Sequence, residues 1–415
     1  MTSLLKKGAV GLVDQGMSSL SNVLAVIMVA QSLSAAAFGS FSITYAILIF
    51  LLTLSRSYFG TQLTLTESRA AARERSSSAL GAVLLLAPAL AVATGGIGML
   101  LSNKTDLSIA IAVAVAAPLV CLQDLLRYAA VAVERPHVAL ASDAVWVLIT
   151  GVAALGLIRL TAPQVMVVWL GAAALALAVA AVLLRIKPNF VKGWHLLRRE
   201  RHPVGNSMTI GSVTVAGASL IIAAAAAHFL GPTSAGSLRG ASTAMGPLNV
   251  LMAFVTLNLT PALLRRPRSQ DLGFCVRVAM LVSLGVAFWS TALLLLPDVV
   301  GRALFGDSWA GARSVLPWTC VEYFFLCIAT PSMLWLRVRY AAREMLRRRL
   351  IYAALLVSSG TLAAVLGSST QYVAAAIAGA AVVNAALGWL IVLKVRSSER
   401  SPADRVLSTR SGGEA

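Results

Sequence analysis

The chain has 415 residues, 58% of them hydrophobic and 12% charged, with a formal net charge of +18. Soluble globular chains are about 45–50% apolar and about a quarter charged, so this balance excludes an ordinary soluble domain. It also excludes a disulfide scaffold, because the 4 cysteines (Cys121, Cys275, Cys320, Cys327) all fall in apolar runs and read as small core hydrophobes.

Apolar runs long enough to cross a hydrocarbon core of roughly 30 Å recur from end to end. The first spans near 9–31, after Lys6 and Lys7, and is polarised by Asp14, Gln15 and Asn22, the latter two on one helical face. This start mimics a secretory leader, with "SAAA" at 34–37, but Asp14 and Gln15 interrupt the apolar stretch and a repeat makes it a membrane helix. The second span, near 39–62, carries Arg56 in "TLSRSYFGTQ". Spans near 79–101, 107–131, 138–160 and 163–185 follow, with Asp124, Arg127 and Asp143 near one end of the bundle they imply.

A basic stretch, "RIKPNFVKGWHLLRRERHP" (185–203), then reads as an amphipathic interfacial segment and linker. Six further spans are expected near 205–230, 236–263, 273–296, 312–336, 350–367 and 371–393. Arg239 stands near the outer end of the second of these, and Glu322 is deep in the fourth. Prolines 88, 118, 247, 261, 317 and 331 lie inside spans, where they kink helices. The reading is therefore an all-α integral membrane protein of about twelve helices. It divides into a lobe at 1–187, a linker at 188–204, a second lobe at 205–396 and a disordered polar tail at 397–415.

Charge placement orients the chain. With both termini cytoplasmic, the outer connections hold only Lys104, Arg159, Arg302 and Arg313, while Arg56 and Arg239 sit inside apolar runs. The remainder of the 34 Lys and Arg fall on the inner side, which is the positive-inside pattern. Clusters such as "REMLRRRL" are expected at anionic lipid headgroups, and no nucleic-acid partner is implied.

An internal repeat supports two matched halves. Setting "LSAAAFGSFS" (33–42) above "LGPTSAGSLR" (230–239) aligns Gly39 with Gly236 and Ser40 with Ser237, and the same offset aligns Gly8 with Gly205. In both halves the match closes the first helix and opens the second. Each half has an even number of spans, so the two run in the same sense, a parallel pseudo-repeat found in transporters.

At these residues the chain resembles the polysaccharide-biosynthesis branch of the MOP superfamily, the Wzx-type flippases related to MATE exporters. The resemblance is carried by "LSAAAFGSFSITYAI" (33–47), "QDLLRYAAVAVERPHVALASDAVW" (123–146), "LGPTSAGSLRGASTAMGPLNVL" (230–251) and "LFGDSWAGARSVLP" (304–317), about a fifth of the chain. It implies two six-helix bundles around a central cavity in a bacterial cytoplasmic membrane. It also implies flipping of an undecaprenyl-pyrophosphate-linked oligosaccharide to the outer leaflet, with polysaccharide polymerase and glycosyltransferases as candidate partners. Relatives that flip pyrophosphate lipids use cavity arginines on their second and eighth helices, the helices of Arg56 and Arg239.

Ionisable groups inside spans are costly and mark candidate function. Arginine suits a phosphate headgroup because it stays charged and binds oxygens bidentately. The candidate substrate contacts are Arg56, Arg239, Arg127, Asn22, Gln15 and Asn249; Arg127 can instead be neutralised by Asp124 at i, i+3. Glu322, Asp14 and Asp124 are the candidates for H+ or Na+ coupling, with buried hydrogen-bonded acids as the plainer alternative. No metal-ligand spacing, nucleotide motif or cofactor motif is present, so the reading is a secondary transporter and not an enzyme. A membrane enzyme would need an acidic outer cluster, and "PDVVGRALFGDSW" offers only Asp298 and Asp307, read as a cap and a turn. A MATE-like exporter of small cationic compounds is the alternative on the same fold.

Overall fold

The structure, a computed structural model, describes residues 2–63, 66, 68–102, 107–156, 160–199, 203–264, 266–268, 270–339 and 341–410. Among these every regular element is a helix. The N-terminal bundle comprises α1 (Thr2–Ser32), α2 (Ala35–Ser55, carried on through a π turn at Arg56–Gly60 and a last turn at Thr61–Leu63), α3 (Arg69–Ser102), α4 (Leu107–Ala132), α5 (Pro136–Ala154) and α6 (Ala162–Leu184). A short α7 (Phe190–Arg199) bridges to the C-terminal bundle of α8 (Pro203–Leu230), α9 (Pro232–Ala244), α10 (Gly246–Leu264), α11 (Asp271–Leu294), α12 (Asp298–Phe305), α13 (Trp309–Val338), α14 (Ala342–Leu366) and α15 (Thr370–Arg410). By length and composition 10 described helices can cross a membrane; α1 and the α9–α10 pair bring the passes to the twelve expected. Helical backbone in α15 runs past the 393 boundary read from the sequence, into the segment assigned to the tail.

The interior is apolar, as in a soluble protein, but large apolar side chains also cover the outside. Large apolar side chains such as Val92, Leu281 and Phe288 point outward, each more than two-thirds exposed, whereas Ser76, Thr94, Ser142 and Thr150 are fully buried. Lipid tails are as apolar as leucine, so such a bundle is held by close packing of small residues and by hydrogen bonds to backbone carbonyls. Thr94 and Thr150 donate to the carbonyls of Leu90 and Trp146 at 2.7 Å, which satisfies each hydroxyl inside its own helix.

Helix starts follow local chemistry. Ser34 caps α2 through Ala37 N–H, Thr161 and Gln164 form a capping box on α6, and Pro136 and Pro232 stand in the first turns of α5 and α9. Pro88, Pro118, Pro317 and Pro331 remain inside continuous helices. Pro247 does not. The span expected at 236–263 is broken at Met245, because proline offers no N–H to the Thr243 carbonyl and its ring crowds it. Leu248 N–H then bonds the Met245 carbonyl, and the displaced Ala244 carbonyl accepts from the Trp289 indole at 3.0 Å. The Ser242 carbonyl accepts from the Tyr323 hydroxyl at 3.5 Å. Neighbouring helices thus re-satisfy the break, as hydrocarbon requires.

The bundles meet through α2 against α8 and α9, and through α1 against α10. Loops 33–34 and 231 lie at the end opposite the basic clusters, and there the seam is tight. An ideal Cβ on Gly39 would stand 1.9 Å from the Pro232 carbonyl oxygen, and one on Gly236 would stand 3.2 Å from the Gly39 Cα. These two glycines are one of the pairs that the internal repeat aligns. Matched residues of a two-fold pair can touch only beside the axis, so the pseudo-axis passes between them. Gln31 reinforces this end, donating to the carbonyls of Ala154 in one bundle and Ala303 in the other at 3.0 and 2.8 Å.

Candidate functional site

A cavity of about 400 Å³ opens between α2 and the C-terminal bundle. From α2 come Ser42, Ala46 and Ile49, one helical face; from α9 come Ala235, Leu238, Arg239 and Ser242; from α13 come Thr319, Glu322, Tyr323 and Leu326. The lining is apolar with a few polar groups, the composition of a ligand site. Ser42 and Arg239 are repeat mates and line the same space.

Arg239 lies about 10 Å from the start of α9, deeper than the sequence boundary suggested, because the helix begins at Pro232. Its guanidinium carbon stands 4.5 Å over the Tyr45 ring of the other bundle, a cation–π contact that orients the charge without neutralising it. Its Nε is buried without a hydrogen-bond partner, and no carboxylate forms an ion pair with it among the described residues. The Tyr45 hydroxyl donates to Asn22 Oδ1 at 3.3 Å, so Asn22, Tyr45 and Arg239 form one line across the interface. Glu322, near the middle of α13, lines the cavity and has no ion-pair partner among the described residues. Asn249 is exposed and donates to the Tyr323 hydroxyl at 3.5 Å.

The other charged candidates are elsewhere. Arg56, on the π turn, holds Asp124 through Nε and Nη2 at 2.9 and 2.7 Å. Asp124 is shared with Arg127 at 3.2 Å, and Arg127 pairs in turn with Asp143 at 2.9 Å. Gln123 donates to Asp143 and Ser142 at 2.9 and 3.1 Å. Two guanidiniums and two carboxylates therefore form a neutral chain inside the N-terminal bundle. The Arg127 side chain is 9% exposed and closed off from the cavity, whereas Arg56, 37% exposed, keeps one side open. Arg127 as a substrate contact and Asp124 as a coupling acid do not fit these positions, since each is already enclosed by opposite charge. The side chains of Asp14 and Gln15 lie outside the described residues. Asp298 accepts from the Trp309 indole at 2.8 Å and pairs with Arg313, a structural use of that loop acid.

Sequence reasoning missed Tyr323 and Tyr352 as cavity residues and Tyr45 as the buried ring beneath Arg239; the one available signal was a phenol in an otherwise apolar run. The π turn at Arg56 has no sequence signature, and such turns often accompany functional positions.

No protein-family model and no curated protein matches the sequence. Solved structures do. An inward-facing multidrug resistance MATE family transporter of the MOP superfamily is similar with a TM-score of 0.73 at 12% identity, over 92% of this chain and 95% of that one. The chain has the fold of MATE-type transporters. The outward-facing conformation of a multidrug resistance MATE transporter gives 0.57 at 13% identity, covering 94% of each chain. A MOP superfamily transporter from Pyrococcus furiosus, described as having a binding pocket of reverse polarity that suggests a different function, gives 0.58 at 13% identity, again over 94% of each. This MATE-type fold, with its multi-pass helices, bears out the fold class read from the sequence.

Proposed function

We propose that the chain flips a polyprenyl-pyrophosphate-linked oligosaccharide across a bacterial cytoplasmic membrane by alternating access of its two bundles, with the basic end in the cytoplasm. The observation that carries this reading is Arg239: a guanidinium in the interbundle cavity, held by an aromatic face and left without a counter-carboxylate. A partly buried cation in a low-dielectric cavity is stabilised by an anion, and a pyrophosphate headgroup supplies one in the bidentate geometry that arginine favours. The tight seam at the end opposite the basic clusters, and the higher similarity to an inward-facing than to an outward-facing transporter, support a resting state open toward the cytoplasm. The pocket of reverse polarity in the Pyrococcus furiosus transporter is a precedent for a changed cargo on this fold.

Glu322 in the same cavity favours a second reading, a MATE-like exporter of small cations, which the multidrug transporters of this fold also support. Purified protein in liposomes separates the two. Flipping of a fluorescent polyprenyl-pyrophosphate sugar, lost in Arg239→Ala at unchanged protein abundance, supports the flippase. Transport of a cationic dye without lipid flipping would replace that reading with the exporter.

A further inference from the structure

A second cavity, about 360 Å³, lies wholly within the C-terminal bundle toward its basic end. Val215, Leu326 and Tyr352 line both cavities, so the two adjoin. Three arginines line the second one, Arg337 from α13 and Arg348 and Arg349 from α14, and no Asp or Glu does.

The bundle is shaped around these side chains. Arg348 is only 2% exposed, and its Nε and Nη1 donate to neutral acceptors, Asn384 Oδ1 and Ser332 Oγ, both at 3.0 Å. A Cβ on Gly388 would come within 2.6 Å of its guanidinium carbon, so glycine there makes the room it occupies. Arg349 donates to Ser212 at 3.0 Å and lies against Gly211, where a Cβ would stand 2.7 Å from its Cδ. Arg337 has neither hydrogen bond nor ion pair among the described residues. The sequence reading sent this cluster to lipid headgroups. Arg343 and Arg347 are exposed as that requires, but Arg348 and Arg349 turn inward, because a helix separates adjacent residues by about 100°.

Buried cations facing a shared space without carboxylates are stabilised by a bound anion, and fork-shaped donors select phosphate oxygens. We propose that Arg337, Arg348 and Arg349 form a phosphate or pyrophosphate site inside the C-terminal bundle, where an anionic headgroup is held before it reaches Arg239. The ordering rests on the flippase reading; the site itself does not. Its ligand is the headgroup of a prenyl lipid or a free pyrophosphate, which share this chemistry.

The test is calorimetric titration of the full-length protein in detergent with inorganic pyrophosphate and with geranylgeranyl pyrophosphate, geranylgeraniol serving as control. Binding is expected to weaken about tenfold or more in Arg348→Gln, as loss of a charge-assisted hydrogen bond implies, and to persist in Arg239→Ala. Should Arg348→Gln fail to fold, Arg337→Gln and Arg349→Gln carry the same expectation at partly exposed positions. Equal binding of both probes assigns free pyrophosphate, and preference for the prenyl form assigns a lipid headgroup. Absence of binding, affinities within twofold of wild type in all three variants, or loss only in Arg239→Ala overturns the site. Arginine-dependent binding without lipid flipping in liposomes would end the flippase reading and leave the site standing; flipping with arginine-independent binding would do the reverse.

Discussion

The charged residues inside the spans separate by whether protein already neutralises them. Arg56, Asp124, Arg127 and Asp143 form a closed chain of opposite charges, and removing one member strands another. Breaking a buried pair costs about 3–5 kcal/mol, less where one partner reaches open space as Arg56 does. Asp124→Asn should therefore lower the melting temperature in detergent by several degrees, and combining it with Arg56→Gln should recover part of the loss. Additive effects of the two changes would show that the pair is not coupled. Glu322 has no such partner among the described residues, so Glu322→Gln is expected to leave stability near wild type and to abolish any dependence of flipping on a pH gradient. A gradient dependence unchanged in the mutant would remove Glu322 from coupling.

Among the elements, the broken α9–α10 pair shows how a sequence feature becomes a structural device. Pro247 cuts the backbone ladder within a membrane pass, two turns beyond Arg239, and Tyr323 and Trp289 take the carbonyls of Ser242 and Ala244. An orphaned buried carbonyl costs about 1–3 kcal/mol. Trp289→Phe removes the shorter bond and part of the ring volume, so it should reduce thermal stability by at least that order. The same change in a Pro247→Ala background should cost less, because the continuous helix regains its own donor. Equal losses in both backgrounds would contradict this account. The proline was legible in the sequence, and so was a kink; that the helix would part completely was not, because the partners come from residues 45 and 81 positions away.

At the scale of the whole molecule, the glycine seam sets which end is closed. Gly39 and Gly236 let two backbones meet: a side chain on Gly39 would collide with Pro232 and one on Gly236 would crowd Gly39, a use of small residues common between membrane helices. Gly39→Val should force the seam apart. The cavity residue Ser42, changed to cysteine, should then react with a membrane-impermeant maleimide added from the side opposite the basic end, while the same cysteine beside native Gly39 stays protected. The four natural cysteines are all buried, so background labelling should be low. Protection that survives Gly39→Val would mean that other contacts, Gln31 among them, keep this end shut.

Composition, hydropathy and the alternation of basic loops sufficed for an all-helical membrane chain of about twelve passes in two matched halves, because lipid imposes one rule on every span and that rule is local. The repeat included the two glycines that meet on the pseudo-axis among its aligned pairs. Which arginines remain available to an anion was decided only by tertiary structure. Arg56 read like Arg239 in the sequence, Arg127 differed only by the Asp124 one turn before it, and Arg348 read as surface. Whether a guanidinium is neutralised depends on what stands within about 4 Å of it, and those neighbours belong to other helices.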